Sequence, residues 1–373
     1  MASLDIAPDS LQWFDIPNEV FPRLFLVRHF VEDIDMLYSG IDLHKHSLVI
    51  HTVGEDGAAV REAELATSRP AVTAYFATLP GPHRAVVECL GSWYWMRDLL
   101  GPQGIDLRLG HAKYLKAISY AKVKTDRVDA RRLAQLLRVG LIPEAHMISA
   151  EHREVRDLLR ARLKLVTRAS RARQAIGGLF TQYNVRAVSE LPNLVQLQVR
   201  LLEEEYGLLA AQVKRCEREL RPRLLPRADV QRLVWIPGVG AINAYTLVLE
   251  IDDIRRFPTV KHFHSYCRLV PGADNSAGKT RHKRSRDGNR YLKLAFHHAA
   301  VRAVQYVPEV KAEYQRWRRR KGKIIARALI AKELASIVYA VLSKGEPFNG
   351  IFKGHVLTRT KRQQWPRLAS PPA

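Results

Sequence analysis

Cysteine is scarce and poorly placed for cross-linking: Cys89, Cys216 and Cys267 are odd in number, far apart and form no CxxC pair. That spacing excludes a disulfide framework and a zinc knuckle, and it indicates a reducing compartment. No uncharged apolar run reaches the length that spans a bilayer, so a membrane is not expected among the partners. Acids are the minority charge, with 37 Asp and Glu against 60 Lys and Arg, a formal net charge of +23. Such an excess implies a polyanionic partner, nucleic acid above all, bound less tightly as salt rises. What is plentiful is ordinary core material. A hydrophobic share of 47% over 373 residues excludes wholesale disorder and leaves room for two domains with an elongated connector.

The first 35 residues carry acids early and show no small-residue cleavage site after an apolar core, unlike a secretory signal. Residues 37–43 already read as a β-strand. Either Met36 is therefore the expected native start, or residues 1–35 are a dispensable extension.

Residues 36–145 read as an α/β domain with a mixed sheet, because short β-branched runs alternate with helical stretches. Strands are expected at 38–43, 47–53, 58–66, 84–88 and 105–109, and helices at 69–78 and 92–100. His44-Lys-His46 fits a hairpin turn between the first two strands. A further helix opens in Lys124-Thr-Asp-Arg-Val-Asp-Ala130, capped by Thr125 or Asp126, with Leu133, Leu136 and Leu137 forming its apolar stripe. Asp126 and Asp129 stand at i and i+3, so their carboxylates leave the first turn on one side. Alone, this pair is either a charged helix start favoured by the dipole or part of a divalent-metal site. Asp42 in the first strand and Glu88 at the end of another raise the same question. An acid in an apolar strand has to be paired, metal-bound or at an edge.

The segments Gly40-Ile-Asp-Leu-His-Lys45, Val87-Glu-Cys-Leu-Gly-Ser-Trp-Tyr-Trp95 and Lys124-Thr-Asp-Arg-Val-Asp-Ala130, in that order, resemble the DEDD insertion-sequence transposases of the insertion-sequence one-ten family. Better-studied members of that family are bridge-RNA-guided recombinases. The resemblance implies a ribonuclease-H-like (RuvC-like) domain in which Asp42, Glu88, Asp126 and Asp129 form the catalytic tetrad and hold Mg2+ or Mn2+. It also implies a bacterial cytoplasmic protein, nucleoid-associated when bound to DNA.

Residues 146–225 read as two long amphipathic helices. Val155, Leu159, Leu163 and Val166 mark one stripe among many arginines. Leu194, Leu197, Leu201, Leu208, Val213, Cys216 and Leu220 mark the other, after breaks near Gly177-Gly178 and Leu191-Pro192. Such helices form an antiparallel hairpin or an intermolecular coiled coil. The resemblance favours a coiled-coil connector that assembles a homo-oligomer, from dimer to tetramer.

Residues 226–352 read as a mainly α-helical C-terminal domain, followed by a basic tail over 353–373. Val234-Trp-Ile-Pro-Gly-Val-Gly240 resembles a helix-hairpin-helix turn, in which Gly238 and Gly240 would let the backbone approach a phosphate. Ser276 falls in an expected loop ahead of Lys279, Arg281, Lys283, Arg284 and Arg286. Serines in such places are common turn residues, yet cations able to hold a phosphate suit a nucleophile as well. In the resembling family a serine at this place attacks DNA. Where that family often shows a doubled serine, this chain has Asn275-Ser276. Asp287-Gly-Asn-Arg-Tyr-Leu292 starts another helix, with Arg290 and Lys293 as phosphate contacts. His297 and His298 read as packed or surface residues rather than metal ligands. Arg316, Trp317, Arg318, Arg319 and Arg320 combine backbone contact with a ring on which an unpaired base could stack.

Together these features imply a transposase or site-specific recombinase of an insertion sequence. By the resemblance, its partners would be donor and target DNA and a structured guide RNA, and Ser276 would form a phosphoserine intermediate with metal assistance from the tetrad. Two alternatives fit parts of the sequence: a metal-dependent RuvC-like junction-resolving nuclease using water, and a non-enzymatic nucleic-acid-binding protein. The first leaves the serine segment unexplained, and the second leaves the four ordered acids unexplained.

Overall fold

The computed structural model of the protein describes residues 35–79, 81–89, 91–118, 125–276, 279–283 and 287–357. Arg284, Arg286 and the tail beyond residue 357 lie outside them. Contacts divide the chain into two compact units that meet at Met147 and Ile148.

In the first unit, β1 (Leu37–Leu43), β2 (Ser47–Val53), β3 (Ala59–Ala66), β4 (His83–Glu88) and β5 (Asp106–Gly110) form one sheet in the order β3-β2-β1-β4-β5. β1, β2 and β3 pair antiparallel, whereas β4 and β5 run parallel to β1. The sheet is thus mixed, as the alternation of strands and helices suggested, and it is compatible with a ribonuclease-H-like fold. Its helices are α1 (Arg69–Ala77), α2 (Tyr94–Leu100), α3 (Ala112–Ile118) and α4 (Asp126–Arg138).

Consecutive residues of β1 face opposite sides of the sheet, and each side recruits a helix. Ser39, fully buried, hydrogen-bonds Thr52 Oγ1 at 2.6 Å and His83 Nε2 at 2.7 Å, and Thr52 reaches Tyr75 of α1 at 2.8 Å. Gly40 faces the other way and meets α4, whose Leu133 and Leu137 pack on Val86 of β4. The far end of α4 is tied to the β2–β3 turn by Gln135 Nε2 donating to Gly57 O at 2.9 Å and Arg138 Nη1 to Glu55 O at 3.0 Å.

The second unit opens with α5 (Ala150–Tyr183) and α6 (Asn193–Leu224), which pack as an antiparallel hairpin. Pairing of Glu154 with Arg223, Arg162 with Glu217 and Arg168 with Glu205 fixes the direction, since one number rises as the other falls. A break at Gly177-Gly178 is not found. α5 runs through both glycines and stops at Asn184, whose left-handed conformation closes the helix. Two glycines cost a helix about 2 kcal/mol in propensity, which cooperative pairing along a long partner helix can offset. Leu191 and Pro192 do mark the second boundary.

Beyond the hairpin come α7 (Ala228–Leu233), α8 (Ala241–Ile251), α9 (Val260–Tyr266), the hairpin β6 (Gly272–Ser276) and β7 (Lys279–Lys283), α10 (Arg290–Tyr306), α11 (Pro308–Lys321) and α12 (Lys323–Lys344). Their shared core centres on Tyr245, Phe263, Phe296, Ile330 and Leu334. Among the described residues, no helix is long and apolar enough to cross a membrane.

Candidate active site

Two of the four expected acids, Asp42 and Asp126, converge beside the sheet, and the charge of Asp129 is near enough to raise the Asp42 carboxyl. Asp42 stands two residues after Gly40 and so shares the face that α4 covers. α4 begins at Asp126 because Thr125 adopts an extended conformation and its side chain accepts from the Val128 amide at 3.3 Å. That cap turns the first helical turn, with Asp126 and Asp129, toward the end of β1. Arg127 and Arg131 point elsewhere, pairing with Glu62 at 3.5 and 3.6 Å, and Arg127 also reaches Glu64. Cations are thereby kept on the β3 side of the helix while the carboxylates face Asp42.

Glu88 joins through the strand register. Ile41 pairs with Val87, so Asp42 and Glu88 are the next residue on each of two parallel strands. Val86, two residues earlier on β4, lies under α4, and Glu88 shares that face. Glu88 is half-buried.

His44 also belongs to the cluster, although the sequence alone places it in a turn. Its Nε2 lies 3.2 Å from Asp42 Oδ2 and 3.5 Å from Asp126 Oδ2. Ligand atoms of Asp42, His44 and Asp126 fall within 4.8 Å of one another, close enough to share one ion. The signal was available as an Asp-x-His spacing at a strand end, but it was masked by the turn chemistry of the surrounding residues. Burial raises the Asp42 carboxyl above its ordinary value, His44 pulls it back, and Asp126 and Asp129 add to the rise. A site that concentrates negative charge against a half-buried acid favours a divalent cation. Oxygen donors with one imidazole fit Mg2+ adequately and Mn2+ better.

Ser276 is the last residue of β6, so it stands in a β-hairpin rather than in the loop expected from the sequence. The register places it opposite Lys279, with Asp274 opposite Arg281 and Gly272 opposite Lys283. Two residues including a glycine between two short strands are a hairpin signal, missed because neither strand is apolar. After the hairpin, Asn289 caps α10 by accepting from the Tyr291 and Leu292 amides at 2.8 and 3.2 Å. Its side-chain amide donates to Glu250 Oε2 at 2.7 Å. Glu250, buried on α8, is also held by Arg160 of α5 through bonds of 2.6 and 2.7 Å.

Two expected nucleic-acid contacts turn out to be used inside the fold. At Gly238, with φ +75°, an added Cβ would overlap the Ala299 carbonyl oxygen of α10, so the missing side chain permits helix packing rather than phosphate approach. Gly240 has nothing within 4 Å. Trp317 is half-buried against the C-terminal core, and its indole N–H donates to buried Glu313 at 2.5 Å. Arg316, Arg320 and Lys353 lie about its ring at 5.6 to 5.7 Å, so the ring is occupied by the protein's own cations. Arg318, Arg319 and Arg320 are exposed on α11, and Arg290 and Lys293 lie on the first turns of α10.

A transposase family of the DEDD insertion-sequence type matches residues 39–185, and the family described as "Transposase IS116/IS110/IS902 family" matches residues 230–315. The transposase for insertion sequence element IS1328 of Yersinia enterocolitica is 27% identical over 339 residues, covering 83% of this chain and 98% of its own. The transposase for IS1111A of Coxiella burnetii is 24% identical, covering 86% of this chain and 93% of its own. A pilin gene-inverting protein of Moraxella bovis is 32% identical over a shorter stretch, 34% of this chain and 40% of its own.

Proposed function

The chain belongs to the IS110/IS116 family of DEDD transposases, enzymes that cut and rejoin DNA, and from that premise we propose that it recombines an insertion sequence through a phosphoserine intermediate under the guidance of a structured RNA. The observation that carries the reading is the convergence of Asp42, His44 and Asp126 at the end of β1, with the charge of Asp129 acting on Asp42 and Glu88 next in register. Asp42, Glu88, Asp126 and Asp129 would hold Mg2+ or Mn2+, with His44 beside them. When bound, the cation neutralises charge on the phosphate and stabilises the leaving oxygen.

Ser276 Oγ would attack a DNA phosphorus. An oxygen–phosphorus bond forms as the bond to the departing deoxyribose oxygen breaks, the serine gives up its proton, and the departing oxygen gains one. Bond energy is kept in the phosphoserine, so rejoining needs no nucleotide cofactor. Lys279, Arg281 and Lys283 would supply positive charge on the serine hairpin and Arg290 and Lys293 at the start of α10, with Arg284 and Arg286 adding to it in sequence between them. The acids of one protomer would act with the serine of another. An exposed apolar row on α6, comprising Leu194, Leu197, Leu201 and Leu208, supports the oligomer this requires. A guide RNA would choose donor and target by base pairing.

The test is Ser276→Ala. It should abolish covalent protein–DNA adducts while RNA binding persists. Adducts that survive the change would overturn the serine assignment, and free 5′ phosphates without any adduct would point to a nuclease that uses water.

A further inference from the structure

In the second unit a cleft of about 580 Å3 opens between α5 and α10. The α5 wall presents Lys164, Arg168 and Arg171, and the α10 wall presents Arg290, Lys293 and His297. Both sets keep helical spacing, at i, i+4, i+7 and at i, i+3, i+7, so each forms a stripe about 10 Å long. No carboxylate lines the cleft among the described residues, although Glu205 touches Arg168 from outside at 3.5 Å. Facing like charges repel at a cost to the fold, which a bound polyanion removes.

We propose that this cleft grips the phosphate backbone of one strand of duplex DNA, without regard to base sequence. The proposal rests on the reading of the chain as a DNA transposase and names where the duplex is held beside the serine hairpin, since α10 starts seven residues after β7 ends. Chemistry of the lining selects the partner. Lys and Arg match phosphate oxygens, whereas Asn and Gln, which read base edges, are absent from the walls. The Thr167 hydroxyl already donates to Leu163 O at 2.9 Å. An unpaired strand would need a free ring on which to stack, but His297 is half-buried and Tyr291 is engaged by the protein's own arginines. The guanidiniums of Arg160 and Arg290 lie 4.4 and 4.9 Å from its centroid. The α10 wall is also held firm, because Glu250 fixes Asn289, which caps that helix.

Lys164 and Arg171 are exposed, so their charges can be removed without disturbing the core. The experiment compares the full-length protein with the Lys164→Gln/Arg171→Gln double variant, titrated against a duplex of unrelated sequence and against single-stranded RNA. Binding is read by fluorescence anisotropy over a salt series, with circular dichroism melting to verify the fold. The slope of log K against log salt should flatten by about 2 for duplex DNA, at about 0.9 per lost contact. Weakening should be equal for duplexes of different sequence, and RNA affinity should hold. The single variants should each give half the change, which covers a failure of the double variant to fold. An unchanged slope overturns the proposal, as does a loss confined to RNA. Ser276→Ala, run alongside, should bind duplex normally. If it still forms adducts, the serine reading fails while the cleft result stands.

Discussion

Gly40 of β1 lies so close beneath Ala130 of α4 that a Cβ on the glycine would overlap the Ala130 carbonyl oxygen and the Ala134 amide nitrogen. This contact sets how near the first turn of α4 comes to Asp42, and therefore whether the carboxylates can share one cation. Gly40→Ala should displace the helix at a cost of about 1 to 3 kcal/mol. Melting temperature should fall, and Mn2+ affinity should fall with it. Gly91, with open space around its Cβ position, is the control, and Gly91→Ala should leave Mn2+ affinity unchanged. Retention of full Mn2+ affinity by Gly40→Ala would mean that the close approach does not build the site.

His44 bridges Asp42 and Asp126, and its role can be separated from theirs. His44→Ala should weaken Mn2+ binding by about 10-fold or more in calorimetric titration, and Mg2+ binding less, because imidazole suits the softer ion. Asp42→Asn should weaken both. Equal titrations for His44→Ala and the unaltered protein would assign His44 to the turn alone.

The Arg160–Glu250–Asn289 network ties α5 and α8 to the cap of α10. Arg160→Ala leaves the Glu250 carboxylate buried with a single amide donor, a situation that costs about 3 to 5 kcal/mol. Urea unfolding should record that loss. Adduct formation should fall too, since α10 directly follows the serine hairpin. Glu250→Gln, which keeps the size and one acceptor, should be the milder change.

Stability should also depend on pH through two buried histidines. Burial lowers His83 and His264 from 6.5 to about 4, so neither native ring takes a proton until pH falls well below the value of the unfolded chain. Unfolding therefore takes up protons between pH 6.5 and 4. Stability is fully present above pH 6.5 and declines as pH falls through that window, by at most about 3 kcal/mol per histidine. Asp106, Asp229 and Asp253, whose pKa values are lowered by arginine neighbours, lose their contributions only below the ordinary carboxylate range. Urea midpoints at pH 7.5 and 5 measure the histidine share, and His83→Gln should flatten the dependence. A flat profile for the unaltered protein would show that the native rings take up protons as readily as the unfolded ones.

Much of this protein is determined by sequence alone. Charge imbalance names the class of partner, apolar periodicity places nearly every element of the first unit, and three short motifs in order mark Asp42, Glu88, Asp126 and Asp129. Those signals survive because strand alternation, helix capping and net charge are local properties. Tertiary structure decided the rest. Whether Asp42 and Asp126 meet depends on a glycine that admits α4, and whether His44 joins them depends on how β1 ends beside Asp126. Gly238 and Trp317 looked free for nucleic acid, but α10 and Glu313 occupy them. Lys164 and Lys293 stand far apart in the sequence and line one cleft only after α5 and α10 pack. Contacts between distant segments leave no period in a sequence, so only the folded chain reveals them.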